Sequence, residues 1–316
     1  MTLLGPDPDR PTLLALRALK LGDLLVAVPA LHALRRAFPD HRIVLATTGW
    51  LEPMVGLVGA VDELLPTPGL SQPLAVPPGL VDVAVNLHGR GPESGGLVAA
   101  IEPGRLIAHR PDDPDGPEWV DGVLERYRWT RLLVEHGIAA DPEEVGIDVP
   151  AVPPAVEGAA VVHVGAFYGA RHWPTERFAE VASRLRSAGH RVVLTGGDVE
   201  RERALDVARR AGLDAEDVLA GRLDLVEFAA VVAAARLVVT VDTGAAHLAS
   251  AYGIPSVVIF GPAPPEEWGP PVGGPHIVLT DASARRGDVF SQEPDPALLA
   301  VTVDDVLAAV ESLPMR

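Results

Sequence analysis

Short apolar runs alternate with amphipathic stretches of helical period along the whole chain, and the alternation is broken by the segment V-P-A-V-P-P-A-V-E-G, from Val149 to Gly158. Strand-sized runs that alternate with helix-sized ones imply a parallel sheet wrapped on both faces. Ahead of the break, Leu13 to Leu16, Ile43 to Thr47 and Val81 to Leu87 read as buried strands. Leu24 to Phe38 reads as a helix closed by Pro39, and Trp119 to His136 as a long helix before Gly137. Beyond the break the pattern restarts with strands at Ala160 to Val164, Arg191 to Thr195, Leu237 to Val241 and Ser256 to Phe260. Helices are expected at Thr175 to Ala188, Glu200 to Ala211, Leu225 to Ala235 and Ala245 to Tyr252. Three prolines in ten residues exclude a regular element at the break itself, so the expected organisation is two α/β domains, 1–150 and 151–316. A length of 316 residues suits two cores of this size. A last helix, Val303 to Leu313, is open to packing on either domain.

Composition narrows the function classes. Hydrophobic residues make up 48% and charged residues 22%, a folding composition. A formal net charge of −17 argues against a nucleic-acid partner, whose phosphates need a basic surface. No run reaches the roughly 18 apolar residues of a membrane span, and the start, with Asp7, Pro8, Asp9 and Arg10, lacks the apolar core of a signal peptide. A cytoplasmic protein with at most peripheral membrane contact is expected. The absence of cysteine excludes thiolate chemistry, and the ten histidines show no close pairing, so no metal centre is expected.

Ligands of open parallel sheets sit beyond the carboxyl ends of the strands, which directs attention to four segments. Lys20-Leu21-Gly22-Asp23 lies between the first strand and its helix. Asp23 is either an N-cap or a general base for a substrate hydroxyl, and capping works against basicity. Gly165-Ala166, with Arg171 after them, offers close backbone approach and a permanent cation for phosphate oxygens. Asp242-Thr243-Gly244-Ala245, with His247 one turn later, closes a strand and opens a helix whose amides suit a diphosphate. Gly196-Gly197-Asp198 with Glu200 places a carboxylate where ribose hydroxyls can be bound, although in isolation helix capping by Asp198 is the better explanation of the segment. Gly89-Arg90-Gly91 misses the dinucleotide spacing, and Asp113-Pro114-Asp115 is explained by turn formation. His163, near a strand end, has no role that the sequence suggests.

Three stretches then carry a resemblance: L-G-D-L-L-V-A-V-P-A-L-H-A-L-R-R-A-F-P at 21–39, A-R-H-W-P-T-E-R-F-A at 170–179, and V-V-T-V-D-T-G-A-A-H-L-A-S-A-Y-G-I-P at 238–255. Together they resemble glycosyltransferase family 9, the ADP-heptose:lipopolysaccharide heptosyltransferases and their relatives. The resemblance implies a GT-B fold, an N-terminal acceptor-binding and a C-terminal nucleotide-sugar-binding domain, and an inverting, metal-independent transfer with no cofactor beyond an ADP-linked sugar donor. It makes Asp23 the base, and Gly165, Ala166, Arg171, Gly197, Glu200, Leu223, Asp242, Thr243, Gly244, Ala245 and His247 the donor contacts, with Glu200 at the ribose and Leu223 at the adenine. Lys20, Gly22, His88 and Arg90 fall on the acceptor side. Two departures stand out: Arg171 replaces the family's phosphate-binding lysine, and the loop after Trp50 lacks the basic cluster that meets an anionic lipopolysaccharide core. A neutral sugar-containing metabolite or glycolipid intermediate is therefore the expected acceptor. A nucleotide-sugar epimerase or hydrolase, or a non-catalytic nucleotide-sugar binder, are the alternative readings.

Overall fold

The computed structural model describes residues 3–314. It divides into two compact units, the first ending at Asp148 and the second beginning at Val149. In the first, β1 (Thr12–Leu16), β2 (Arg42–Thr47), β3 (Glu63–Pro66), β4 (Val83–Asn86) and β5 (Arg105–Ile107) form a parallel sheet of order β3-β2-β1-β4-β5. Leu13 pairs with Ile43 on one side and Val83 on the other, which makes β1 central. Helices cover both faces of such a strand, so T-L-L-A-L is buried at every position and nearly continuous in apolar character.

The second unit repeats the design with β6 (Ala160–His163), β7 (Val192–Thr195), β8 (Leu237–Val241), β9 (Ser256–Ile259) and β10 (His276–Leu279), in the order β10-β9-β8-β6-β7. All its neighbouring strands are parallel. The helix Thr175–Ser187 buries Phe178, Ala179, Val181, Ala182 and Leu185, the spacing of one apolar helical face. Phe178 meets Trp173 edge-on at 5.0 Å, and truncating a buried Phe to Ala costs about 3–5 kcal/mol. The last helix, Val303–Ser312, places Val306, Ala309 and Val310 in this second core. Its start is fixed reciprocally: Thr302 Oγ1 accepts the Asp305 amide at 3.2 Å, and Asp305 Oδ2 accepts the Thr302 amide at 2.9 Å.

Several sequence expectations need correction. The long helix expected from Trp119 begins only at Glu125 and ends at Glu135. Gly122 takes φ of +70° ahead of it, and the Trp119 indole donates to Asp121 at 2.8 Å, so this stretch is a turn. Strands β3, β5 and β10, which the apolar pattern does not reveal, are all sheet edges of three or four residues. These three strands are short and only partly buried, so they leave little hydrophobic signal, whereas the edge strand β7 is buried throughout. The first helix starts at Leu21, three residues earlier than its periodicity suggests.

Candidate functional site

In the first sheet the chain leaves β1 for β2 on one side, while β4 lies on the other, so the loops after β1 and β4 diverge and leave a crevice at this switch point. Arg17 follows β1 directly and is only 2% exposed. Its Nε donates to the carbonyl of Asp23 at 2.6 Å and its Nη1 to the carbonyl of Leu87. Nη2 lies 3.5 Å from both Asp23 Oδ1 and Glu125 Oε2, and the guanidinium sits 4.8 Å from the centre of the Trp129 ring. A buried charge is tolerated only when paired and hydrogen-bonded, and here one cation ties together the loops after both strands, the first helix and the helix Glu125–Glu135. Sequence reasoning missed Arg17 and Glu125. The available signal was an arginine closing an otherwise apolar strand, six residues before Asp23.

Asp23 is the third residue of the helix Leu21–Ala37 and not its N-cap, the position held by Lys20. Its Oδ2 accepts the Lys20 amide at 3.2 Å, and its side chain remains 22% exposed. Gly22 is half-buried within the same first turn. On the other side of the crevice, His88 Nδ1 accepts the Ala18 amide at 3.2 Å. Burial, and then the positive charge of Arg17, push the pKa of His88 down to about 4, while Asp23 pulls the other way. Arg90 stands apart from this group: it is exposed, 3.9 Å from Asp121 and over the Trp119 ring. Asp113-Pro114-Asp115 forms a turn in which Asp113 Oδ1 accepts the Asp115 amide at 3.0 Å.

The second sheet has its switch point between β6 and β8. The loop after β6 holds itself closed, with His172 Nε2 donating to the Ala166 carbonyl at 2.9 Å. A Cβ on Gly165 would come within 3.0 Å of the His163 ring and 3.3 Å of Gly196 Cα, so the tight passage between neighbouring strand ends favours glycine. Arg171 Nε donates to Asp242 Oδ2 at 3.1 Å, with Asp242 buried at the end of β8 and Arg171 partly exposed. Thr243 precedes the helix Gly244–Ala251 in extended conformation without capping it by its side chain. The amides of Gly244 and Ala245 thus open the helix, next to a cation, as an anion site requires. His247 is half-buried in the same first turn.

Beside this group, after β7, Glu200 Oε2 accepts the Gly197 amide at 2.7 Å, which fixes the carboxylate at the strand end. Leu223 is half-buried and follows a segment in which the Gly221 amide donates to Gly196 at 3.1 Å, so it reaches the same edge. His163 bridges the ends of β6 and β7 through Thr195 Oγ1 at 3.0 Å, and burial pushes its pKa down to about 4. Among the described residues no group of three His, Asp or Glu side chains is placed to hold a metal, and no helix is long and apolar enough to cross a membrane.

Residues 142–285, which contain every one of these second-unit positions, match the family model of glycosyltransferase family 9 (heptosyltransferase). Over that span the chain is similar to family 9, and it spans less than half the length of the curated relatives it matches. Lipopolysaccharide heptosyltransferase 1 of Pseudomonas aeruginosa is 41% identical over 151 residues, a match that spans 46% of this chain and only 42% of that protein. The solved structure of Escherichia coli ADP-heptose lps heptosyltransferase II aligns with a TM-score of 0.74 at 20% identity, covering 95% of this chain and 98% of that one. The structure of Escherichia coli heptosyltransferase WaaC with ADP aligns with a TM-score of 0.71 at 20% identity, covering 95% and 99%. The fold class is therefore α/β of the GT-B type, built from two parallel-sheet Rossmann-like units. The family 9 model does not extend to the stretch 21–39.

Proposed function

We propose that this chain is an inverting, metal-independent glycosyltransferase that moves a heptose or related sugar from an ADP-linked donor to an acceptor hydroxyl. The observation that carries the reading is the pairing of Arg171 with Asp242 beside the open helix start at Gly244, inside the family 9 match. A cation and helix amides at a switch point form a diphosphate site, and the WaaC relative was solved with ADP. Glu200 would then bind the ribose and Leu223 the adenine.

In the proposed reaction Asp23 takes the proton of the acceptor hydroxyl as its oxygen attacks the anomeric carbon, and the bond to the diphosphate breaks on the opposite face. Arg171 and the amides of Gly244 and Ala245 stabilise the negative charge that grows on the leaving group, the role a divalent cation plays elsewhere. Asp242 acts here by holding Arg171, a more indirect part than a contact to the donor.

The acceptor is proposed to be neutral or weakly charged, such as a sugar-containing metabolite or a glycolipid intermediate. Between Ile43 and Asp82 the sequence holds no Lys or Arg. Arg90 lies near Asp121, Arg105 donates to the His136 carbonyl at 3.2 Å, and Arg110 to Glu118 at 3.2 Å, so each of these cations already has an acceptor or acidic neighbour. The test is calorimetry with ADP, followed by ADP release from ADP-heptose with and without candidate acceptors. The reading predicts ADP binding and release that acceptor accelerates; acceptor-independent release would favour a hydrolase.

A further inference from the structure

Arg17 donates to the carbonyls of both Asp23 and Leu87, so a single side chain links the residue proposed as base to the residue before His88. The His88 ring is oriented by one bond, from the Ala18 amide to Nδ1 at 3.2 Å. A ring nitrogen that accepts an N–H carries no proton, so the neutral ring has its hydrogen on Nε2. Protonating Nδ1 would break the Ala18 bond, place a cation near Arg17 and charge a half-buried ring. His88 is thus a fixed N–H donor that keeps its proton, beside a carboxylate that only accepts.

A hydroxyl needs both partners if it is to attack in a defined direction. Its hydrogen goes to a base, one lone pair can accept a hydrogen bond, and the other lone pair is then left for the electrophile. We propose that the Nε2–H of His88 donates to the oxygen of the attacking acceptor hydroxyl while Asp23 receives that hydroxyl's proton. This deepens, and rests on, the glycosyl-transfer reading. The step balances: the O–H proton moves to Asp23, a C–O bond forms at the anomeric carbon, and the bond to the diphosphate breaks with its electrons leaving on ADP. His88 keeps its proton throughout, and its contribution is orientation, for which a misplacement of about 1 Å costs about 100-fold in rate.

Two variants separate this role from a structural one. In His88→Asn the side-chain oxygen can still accept the Ala18 amide, but nothing reaches the position of Nε2. In His88→Gln an amide N–H reaches approximately that position. The probes are ADP-heptose as donor and neutral methyl glycosides of common hexoses as acceptors, with ADP release and ADP affinity as readouts. Expected are a fall of about 10- to 100-fold in turnover for His88→Asn, partial recovery in His88→Gln, and ADP affinity unchanged in both. Wild-type release of ADP that His88→Asn matches would overturn the inference and leave the transfer reading standing. No ADP release by the wild type would overturn both. Nitrogen-15 spectra of the histidines give a second arm that needs no turnover: His88 should hold its proton on Nε2 from pH 5.5 to 8, as about that range lies above its lowered pKa, and an Nδ1–H ring would contradict the inference.

Discussion

Arg171 donates from Nε to Oδ2 of Asp242 at 3.1 Å, joining the loop after β6 to the end of β8. In the proposed site the bond leaves both Nη groups of the fork for a diphosphate. Charge-assisted hydrogen bonds contribute about 1.5–3 kcal/mol each, so Arg171→Ala should weaken ADP binding by about 10- to 100-fold. Arg171→Lys should lose less, since the charge remains while the bond to Asp242 is altered. Calorimetric titration with ADP measures both, and unchanged affinity in Arg171→Ala would remove Arg171 from the site.

Stability should fall as the solution is acidified through the range in which histidine ordinarily titrates. Burial holds His88, His109, His163 and His276 at about 4, below the ordinary 6.5. The folded state keeps these rings neutral while the unfolded state protonates them, so their contribution is complete above pH about 6.5 and is lost progressively towards pH about 4. His109 is 2% exposed between Trp119 and Trp129, and neither ring nitrogen has a hydrogen-bond partner. Urea midpoints between pH 7.5 and 4.5 should decline, and His109→Phe should flatten the decline. Midpoints that stay level across the interval would contradict this.

Transfer should continue in excess EDTA, because in the proposed site Arg171 and the helix amides at Gly244 and Ala245 take the role of a metal on the diphosphate. Activity that disappears with chelator and returns with Mg²⁺, Mn²⁺ or iron would refute the metal-free mechanism.

Neutral acceptors should be used at least as well as polyanionic ones, with little dependence on salt. Three arginines of the first unit are paired with carboxylates: Arg35 and Arg10 with Asp62, and Arg42 with Glu63. Comparing rates at low and moderate ionic strength tests this, since attraction to a polyanion is screened by salt. A preference for the polyanion that fades as salt rises would show a basic site that these pairings do not suggest.

The central strands and the loops that follow them were legible in the sequence, because a strand buried on both faces must be apolar throughout and its ligand loop must then turn polar or glycine-rich. Asp23, Arg171 and Asp242 were picked out as candidates in such loops. Edge strands such as β10 were not legible, since His276 to Leu279 is only partly buried. Arg17 was hidden for another reason: a fully buried cation reads locally as a surface residue, and its partner Glu125 lies over a hundred positions away in sequence. Long-range polar clamps leave no periodicity to read. The start of the helix at Glu125 was missed as well, because Trp119 and Val120 extend the apolar pattern through a turn that Gly122 makes.

The central claim is that Asp23 takes the proton of an acceptor hydroxyl in a sugar transfer, and the most direct measurement is mass spectrometry of acceptors incubated with ADP-heptose and either the wild type or Asp23→Asn. Asparagine keeps the size of Asp23 and can still accept the Lys20 amide, which preserves the helix start. The account predicts an acceptor heavier by one heptose with the wild type, a rate lower by about 100-fold or more in the variant, the scale of a lost general base, and ADP affinity within a few-fold in both. Equal transfer by Asp23→Asn, or donor consumed by the wild type with no glycosylated product, would contradict it.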